Sequence, residues 1–189
     1  MKPVGFDNTF LSILLNPNSR IPIDPATKQP LTGARRRAEY LVQRLGKNRQ
    51  QIIIPTPVSA ELLTAIGPDA GQYFSIIGHS RLFEEAALDA RCAIELAFLN
   101  RDVFASDDRK NGAEPYQKIK IDRQIIAVFK VADVERVYTD DHGPSARLKL
   151  CGMIPVPTAE LPMPPEDAQM KLAFEAIDEV PEPDQADAV

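Results

Sequence analysis

The sequence has 189 residues, 44% of them hydrophobic, which suits one globular domain with its own core. No stretch nears the roughly 20 apolar residues of a bilayer span, no apolar signal region precedes Asp7, and Cys92 and Cys151 cannot form a disulfide framework or a zinc site. The net charge of −5 is uneven: residues 159–189 carry nine acids against Lys171 alone, leaving residues 1–158 at +3. The reading is a soluble, cytoplasmic protein with no membrane partner. Its mildly basic body removes the objection to a nucleic-acid partner without establishing one.

Along the chain, Pro3-Val4-Gly5-Phe6 reads as a buried strand, and Asp7 as the N-cap of the apolar run Phe10–Leu15. Residues 16–33 hold too many breakers for regular structure and read as a loop insertion. Ala34, Ala38, Leu41, Val42 and Leu45 then fall on one face of an amphipathic helix, with Arg35, Arg36, Arg37 and Arg44 on its polar side. That basic face reads first as solvated, and secondly as a phosphate track. Gln51–Ile54 is a buried strand, and a helix carrying Val58, Glu61, Leu62 and Ala65 starts near Pro57. A helical segment over 69–79 follows, with Tyr73 and Phe74 read as core, then a strand over 82–86. Asp89 caps a helix whose inward face is predicted as Ala90, Ala93, Ile94, Ala97 and Phe98. Residues 100–117 are polar and read as a second loop insertion. Asp122 is expected to cap a third helix, with Ile125, Ile126 and Phe129 inward. A strand over 136–139, a short helix near 145–151 and a strand over 153–156 close the domain. The reading assigns 1–162 to one domain and 163–189 to an acidic, largely disordered tail.

Alternating strands and helices predict a parallel sheet covered on both faces. In such a sheet functional groups gather where strands end, and Asp7, Glu61, Asp122 and Asp141 all stand at those junctions. Carboxylates converging in one cleft repel one another unless a cation neutralises them. Oxygen donors select Mg²⁺ or Mn²⁺, which can activate water beside a phosphoryl group. Taken singly, Asp7 and Asp122 read as helix caps, Glu61 as a solvated helix residue and Asp140-Asp141 as a turn.

Val4-Gly5-Phe6-Asp7-Asn8-Thr9 resembles the opening motif of PIN-domain nucleases. Thr56-Pro57-Val58-Ser59-Ala60-Glu61 is similar to the second motif, Asp122–Phe129 to the third, and Val137-Tyr138-Thr139-Asp140-Asp141 to the last. The resemblance spans residues 3–162 and implies a PIN-like three-layer α/β/α fold with a central, mostly parallel five-stranded sheet. It implies Mg²⁺ or Mn²⁺ held by Asp7, Glu61, Asp122 and Asp141, with Thr9 and Thr139 orienting ligands or water. Asp140 can stand in for Asp141 within the motif's tolerance. The implied activity is hydrolysis of phosphodiester bonds in RNA, ahead of single-stranded DNA. A VapC-type toxin, silenced by a cognate antitoxin and forming a homodimer, is the implied subtype. The insertions at 16–33 and 100–117 and the acidic tail depart from compact toxin-type members.

Lys118, Lys120 and Arg123 flank Asp122 and are candidates for holding substrate. His142 reads as a turn residue, and His79 has no partner visible in the sequence. A haloacid-dehalogenase-type phosphatase needs an acid where Thr9 stands, a receiver domain needs an acidic pair upstream of Asp89, and no Gly-rich phosphate loop follows Gly5. The rival from another class is a PIN-like binding module that does not cut. Four acids at strand ends favour the enzyme.

Overall fold

The computed structural model describes residues 1–78, 80–103 and 115–165. The strands are β1 (Val4–Phe6), β2 (Ile52–Pro55), β3 (Phe83–Ala86), β4 (Arg136–Tyr138) and β5 (Ile154–Val156). The helices are α1 (Asn8–Leu15), α2 (Ala34–Lys47), α3 (Thr56–Ile66), α4 (Ala70–Gly78), α5 (Ala90–Asp102), α6 (Tyr116–Val131) and α7 (His142–Leu150). The sheet is all parallel in the order β3-β2-β1-β4-β5. This is a three-layer α/β/α arrangement on a five-stranded parallel sheet, as the motif resemblance implies. The order steps outward from β1 to β3, then returns to place β4 on the other side of β1. The crossover therefore opens a crevice between the carboxyl ends of β1 and β4.

Residue alternation explains why both faces are covered. Val4, Phe6, Ile52, Ile54 and Tyr138 join the core beneath α1 to α4. Ile53 and Val137 point the other way and pack with Ile126, Phe129 and Leu148 of α6 and α7. A strand buried on both faces reads as a continuous apolar run, as Ile52-Ile53-Ile54 does. Gly5 sits between Val4 and Phe6 on the α6 side, where an added Cβ would stand 2.5 Å from Phe129 Cε1. Only the bare backbone admits the aromatic ring there.

Three expectations need correction. Asp122 does not cap a helix: α6 starts at Tyr116 behind Pro115, and Asp122 lies buried in its second turn. The polar first turn, with Lys118 and Lys120, had disguised the helix start as loop. Consequently the 100–117 insertion narrows, since α5 runs to Asp102 and α6 starts at Tyr116; residues 104–114 lie outside the described residues. The inward face of α5 is also reversed. Cys92 and Leu99 are buried, while Ile94 and Phe98 are 61% and 48% exposed. Asp89 does cap that helix, accepting from the Cys92 N–H at 3.0 Å.

The helix read near 145–151 starts earlier, at His142, with Asp141 as its cap, so His142 is helical rather than a turn residue. Residues 16–33 form a loop whose only pairing is the isolated bridge between Ile23 and Pro30. Tyr73 is buried, with its hydroxyl hydrogen-bonded to Ser59 and Glu85. The Phe74 side chain, His79 and the tail beyond residue 165 lie outside the described residues. No helix among the described residues is long and apolar enough to cross a membrane.

The Gly5–Phe129 contact makes a direct prediction. Gly5→Ala should destabilise the fold by about 1–3 kcal/mol through overpacking. Adding Phe129→Leu should recover part of that loss, as read from urea denaturation midpoints.

Candidate active site

Asp7, Glu61, Asp122 and Asp141 line one cavity of about 170 Å³ at the carboxyl end of the sheet. Each arrives by a different route: after β1, inside α3, inside α6, and between β4 and α7. The floor is apolar, built by Ile126, Phe129, Val137 and Leu148. Asn8, Thr9, Lys118 and Pro144 also reach the cavity.

Asp7 is the most tightly held of the acids. Its Oδ1 caps α1 by accepting from the Phe10 N–H at 2.9 Å, and Thr9 Oγ1 donates to it at 2.8 Å. Thr139 Oγ1, fully buried, donates to Asp7 Oδ2. The two threonines then accept in turn: Thr9 from the Asp140 N–H at 3.0 Å and Thr139 from the Asp141 N–H at 3.1 Å. They thus stitch the ends of β1 and β4 across the crevice. Burial still pushes the Asp7 carboxyl up from near 3.8 to about 6, against the pull of these donors, and Asp140 adds to the rise.

Glu61 is half-buried and lines the cavity beside Asn8. Burial raises its pKa; Asn8 and the charge of Lys118 pull it back, and Asp141 opposes them. Asp141 Oδ1 caps α7 through the Gly143 N–H at 3.0 Å, while its Oδ2 takes the Lys118 ammonium at 2.7 Å. Asp122 is paired with Arg147, Nη1 to Oδ2 at 2.8 Å, and the two side chains are only 9% and 4% exposed. Asp140 turns away, accepting from the Thr158 N–H at 2.8 Å and from its hydroxyl at 2.6 Å. Of the adjacent pair, Asp141 is the one that faces the cavity.

Helix phase sorts the basic candidates. Residues 118, 122, 125, 126 and 129 share one stripe of α6, and all of them line the cavity. Lys120 and Arg123 fall off that stripe. Lys120 lies over the Tyr116 ring, 4.6 Å from its centroid, and Arg123 is buried with Nη1 3.2 Å from Asn100 Oδ1. Neither lines the cavity. His142 is exposed at the start of α7 and lies outside the cavity lining. The arginines of α2 are partly committed to the fold: Arg35 donates to the Asn16 carbonyl at 2.9 Å, and Arg37 to the Leu161 carbonyl. Asn8 and Arg147 are the residues the sequence reading missed. Asn8 adjoins Asp7 and could have been found; Arg147 carries no local signal, because its partner lies 25 residues away.

The donor chemistry fits a hard divalent cation: four carboxylates with neither His nor Cys in the lining. The cavity already draws in one cation, the Lys118 ammonium. Yet among the described residues no three His, Cys, Asp or Glu side chains stand close enough to share an ion. Asp122 is instead paired with Arg147, and Asp141 with Lys118 and the Gly143 N–H.

Two predictions follow from these contacts. An acid whose pKa is higher folded than unfolded keeps its proton in the folded state between the two values. Its contribution to stability therefore falls as pH rises from about 4 to about 6, by about 3 kcal/mol in all. Asp7→Asn keeps the cap and loses this penalty, so in chelator at neutral pH it should be about 1–3 kcal/mol more stable than the wild type, the gap closing near pH 4. Arg147→Met removes the cation buried against Asp122 and should cost about 3–5 kcal/mol; urea denaturation measures both. Asp122→Asn similarly removes the charge partner of Arg147, so it tests the fold as well as the chemistry.

Neither a scan of the sequence against protein-family models nor a comparison with curated proteins gives a match. Among solved structures, a chain of the crystal structure of VapBC2 from Rickettsia felis, bound to a DNA fragment from their promoter, superposes with a TM-score of 0.49. Identity is 14%, over 82% of this chain and 97% of that one. So slight a likeness carries no argument about activity, and the fold stands on the strand order itself.

Proposed function

We propose that the chain is a divalent-metal-dependent nuclease of the PIN-like kind, hydrolysing phosphodiester bonds in RNA ahead of single-stranded DNA. The observation that carries this reading is the convergence of Asp7, Glu61, Asp122 and Asp141, from four separate elements, on one cavity at the sheet's crossover. These four would hold Mg²⁺ or Mn²⁺, which when bound supplies an activated water and neutralises charge on the phosphoryl group. The chain's own residues do the rest. Thr9 and Thr139 fix the Asp7 carboxylate, the apolar floor lowers the local dielectric, and Lys118 stands at the cavity where a phosphate can meet it. A toxin role with a cognate antitoxin, and a homodimeric assembly, are narrower forms of the reading that rest on the motif resemblance.

One observation favours a second reading, a PIN-like module that binds nucleic acid or protein without cutting. Arg147 and Lys118 already neutralise two of the four acids.

Titration of Mg²⁺ and Mn²⁺ against mixed RNA and single-stranded DNA separates the two. Cleavage should require the metal, stop in chelator, and drop about 100-fold or more in Asp7→Asn and in Glu61→Gln. Cleavage undiminished in both variants would sink the assignment of the site. Retained nucleic-acid binding, with neither cleavage nor metal uptake, would establish the non-cutting module.

A further inference from the structure

Two cations pair with acids of the cavity, and they differ in kind. Arg147 is sealed against Asp122, with both side chains under a tenth exposed. Lys118 keeps 43% of its side chain exposed and its partner Asp141 keeps 26%. The Lys118 ammonium lies 2.7 Å from Asp141 Oδ2, and its charge also acts on Glu61 across the cavity. One flexible monovalent cation thus serves carboxylates from two different elements.

Such a pair is easily exchanged. An ion pair open to water holds its partners only weakly, and the four-carbon lysine stem can swing clear without disturbing α6. A divalent ion carries twice the charge and prefers hard oxygen donors. Arg147 has no such freedom, because its pair with Asp122 is sealed from water, both side chains being under a tenth exposed.

We propose that Lys118 is the cavity's resident counter-ion, held on Asp141 beside Glu61 in the metal-free protein and competing there with a divalent cation. This inference rests on the metal-dependent reading above. It assigns Lys118 a part in setting how much metal the protein needs, separate from any contact with substrate. It also explains why the acids stand apart: the ammonium holds Asp141 at the α7 terminus, within its field but out of reach of a shared ion.

Isothermal titration of Mn²⁺ into the full chain tests the proposal. Lys118→Met and Lys118→Gln should bind Mn²⁺ about three- to tenfold more tightly than the wild type, with the gap narrowing at high salt. Lys120→Met removes the same charge from the same helix outside the cavity and should stay within about twofold of the wild type. Two Lys118 variants guard against a folding defect peculiar to one, and thermal unfolding monitors both. Equal or weaker Mn²⁺ binding by both Lys118 variants would overturn the proposal, as would equal tightening by Lys120→Met. If the wild type binds Mn²⁺ and cleaves while the Lys118 variants bind no tighter, the inference falls and the nuclease reading stands. If no variant binds Mn²⁺ at all, both fall together.

Discussion

Burial of a carboxylate at the end of the central strand is the constraint around which the molecule is organised. Asp7 follows β1 and sits where the sheet order reverses, so it is enclosed by α1, by the end of β4 and by the apolar stripe of α6. A lone carboxylate there would be prohibitively costly. Three donors meet it, and two of them are threonine hydroxyls that bind the neighbouring loop in turn. The same few atoms cap a helix, close a strand junction and aim an oxygen into the cavity. Stability and chemistry cannot be altered independently at this point.

Around it, charge is balanced from within. Four acids are gathered in a low-dielectric cleft, and the chain sends a cation to two of them. Arg147 is a permanent neighbour, because a buried pair can lose neither member cheaply. Lys118 is an exchangeable one. Such an arrangement lowers the mutual repulsion of the acids in the folded protein. On the proposed metal-dependent reading, it would also set a threshold for an incoming ion.

What the sequence made legible follows from periodicity and local chemistry. The run Ile52-Ile53-Ile54 announces a strand buried on both faces, the apolar stripe of α2 announces its inward side, and Asp7 announces a cap. Asp7, Glu61 and Asp141 could be placed at the sheet edge because strand ends locate them without knowledge of packing. Asp122 reached the right cavity by the wrong argument. Its helix begins six residues earlier than its polar first turn suggests, and only the correct phase shows that Lys118 shares its face while Lys120 and Arg123 do not. The orientation of α5 was misread because Ala90, Ala93, Ile94, Ala97 and Phe98 have helical spacing and nonetheless lie exposed, where periodicity predicts burial. Arg147 was invisible for a different reason: a long-range ion pair leaves no trace in local sequence.

Asp140 and Asp141 show how finely the segment after β4 is measured out. One carboxylate is committed outward to Thr158 and the other inward to the cavity, while Thr139 just before them anchors to Asp7. Inserting or deleting a single residue between Tyr138 and His142 would exchange these assignments, putting the tethering acid in the cleft and unfastening the turn after β5. Length variation in homologous chains is therefore expected to be absent from this segment. The loop over 16–33, pinned mainly by Leu31, one bridge and the Arg35 contact, has room to grow or shrink.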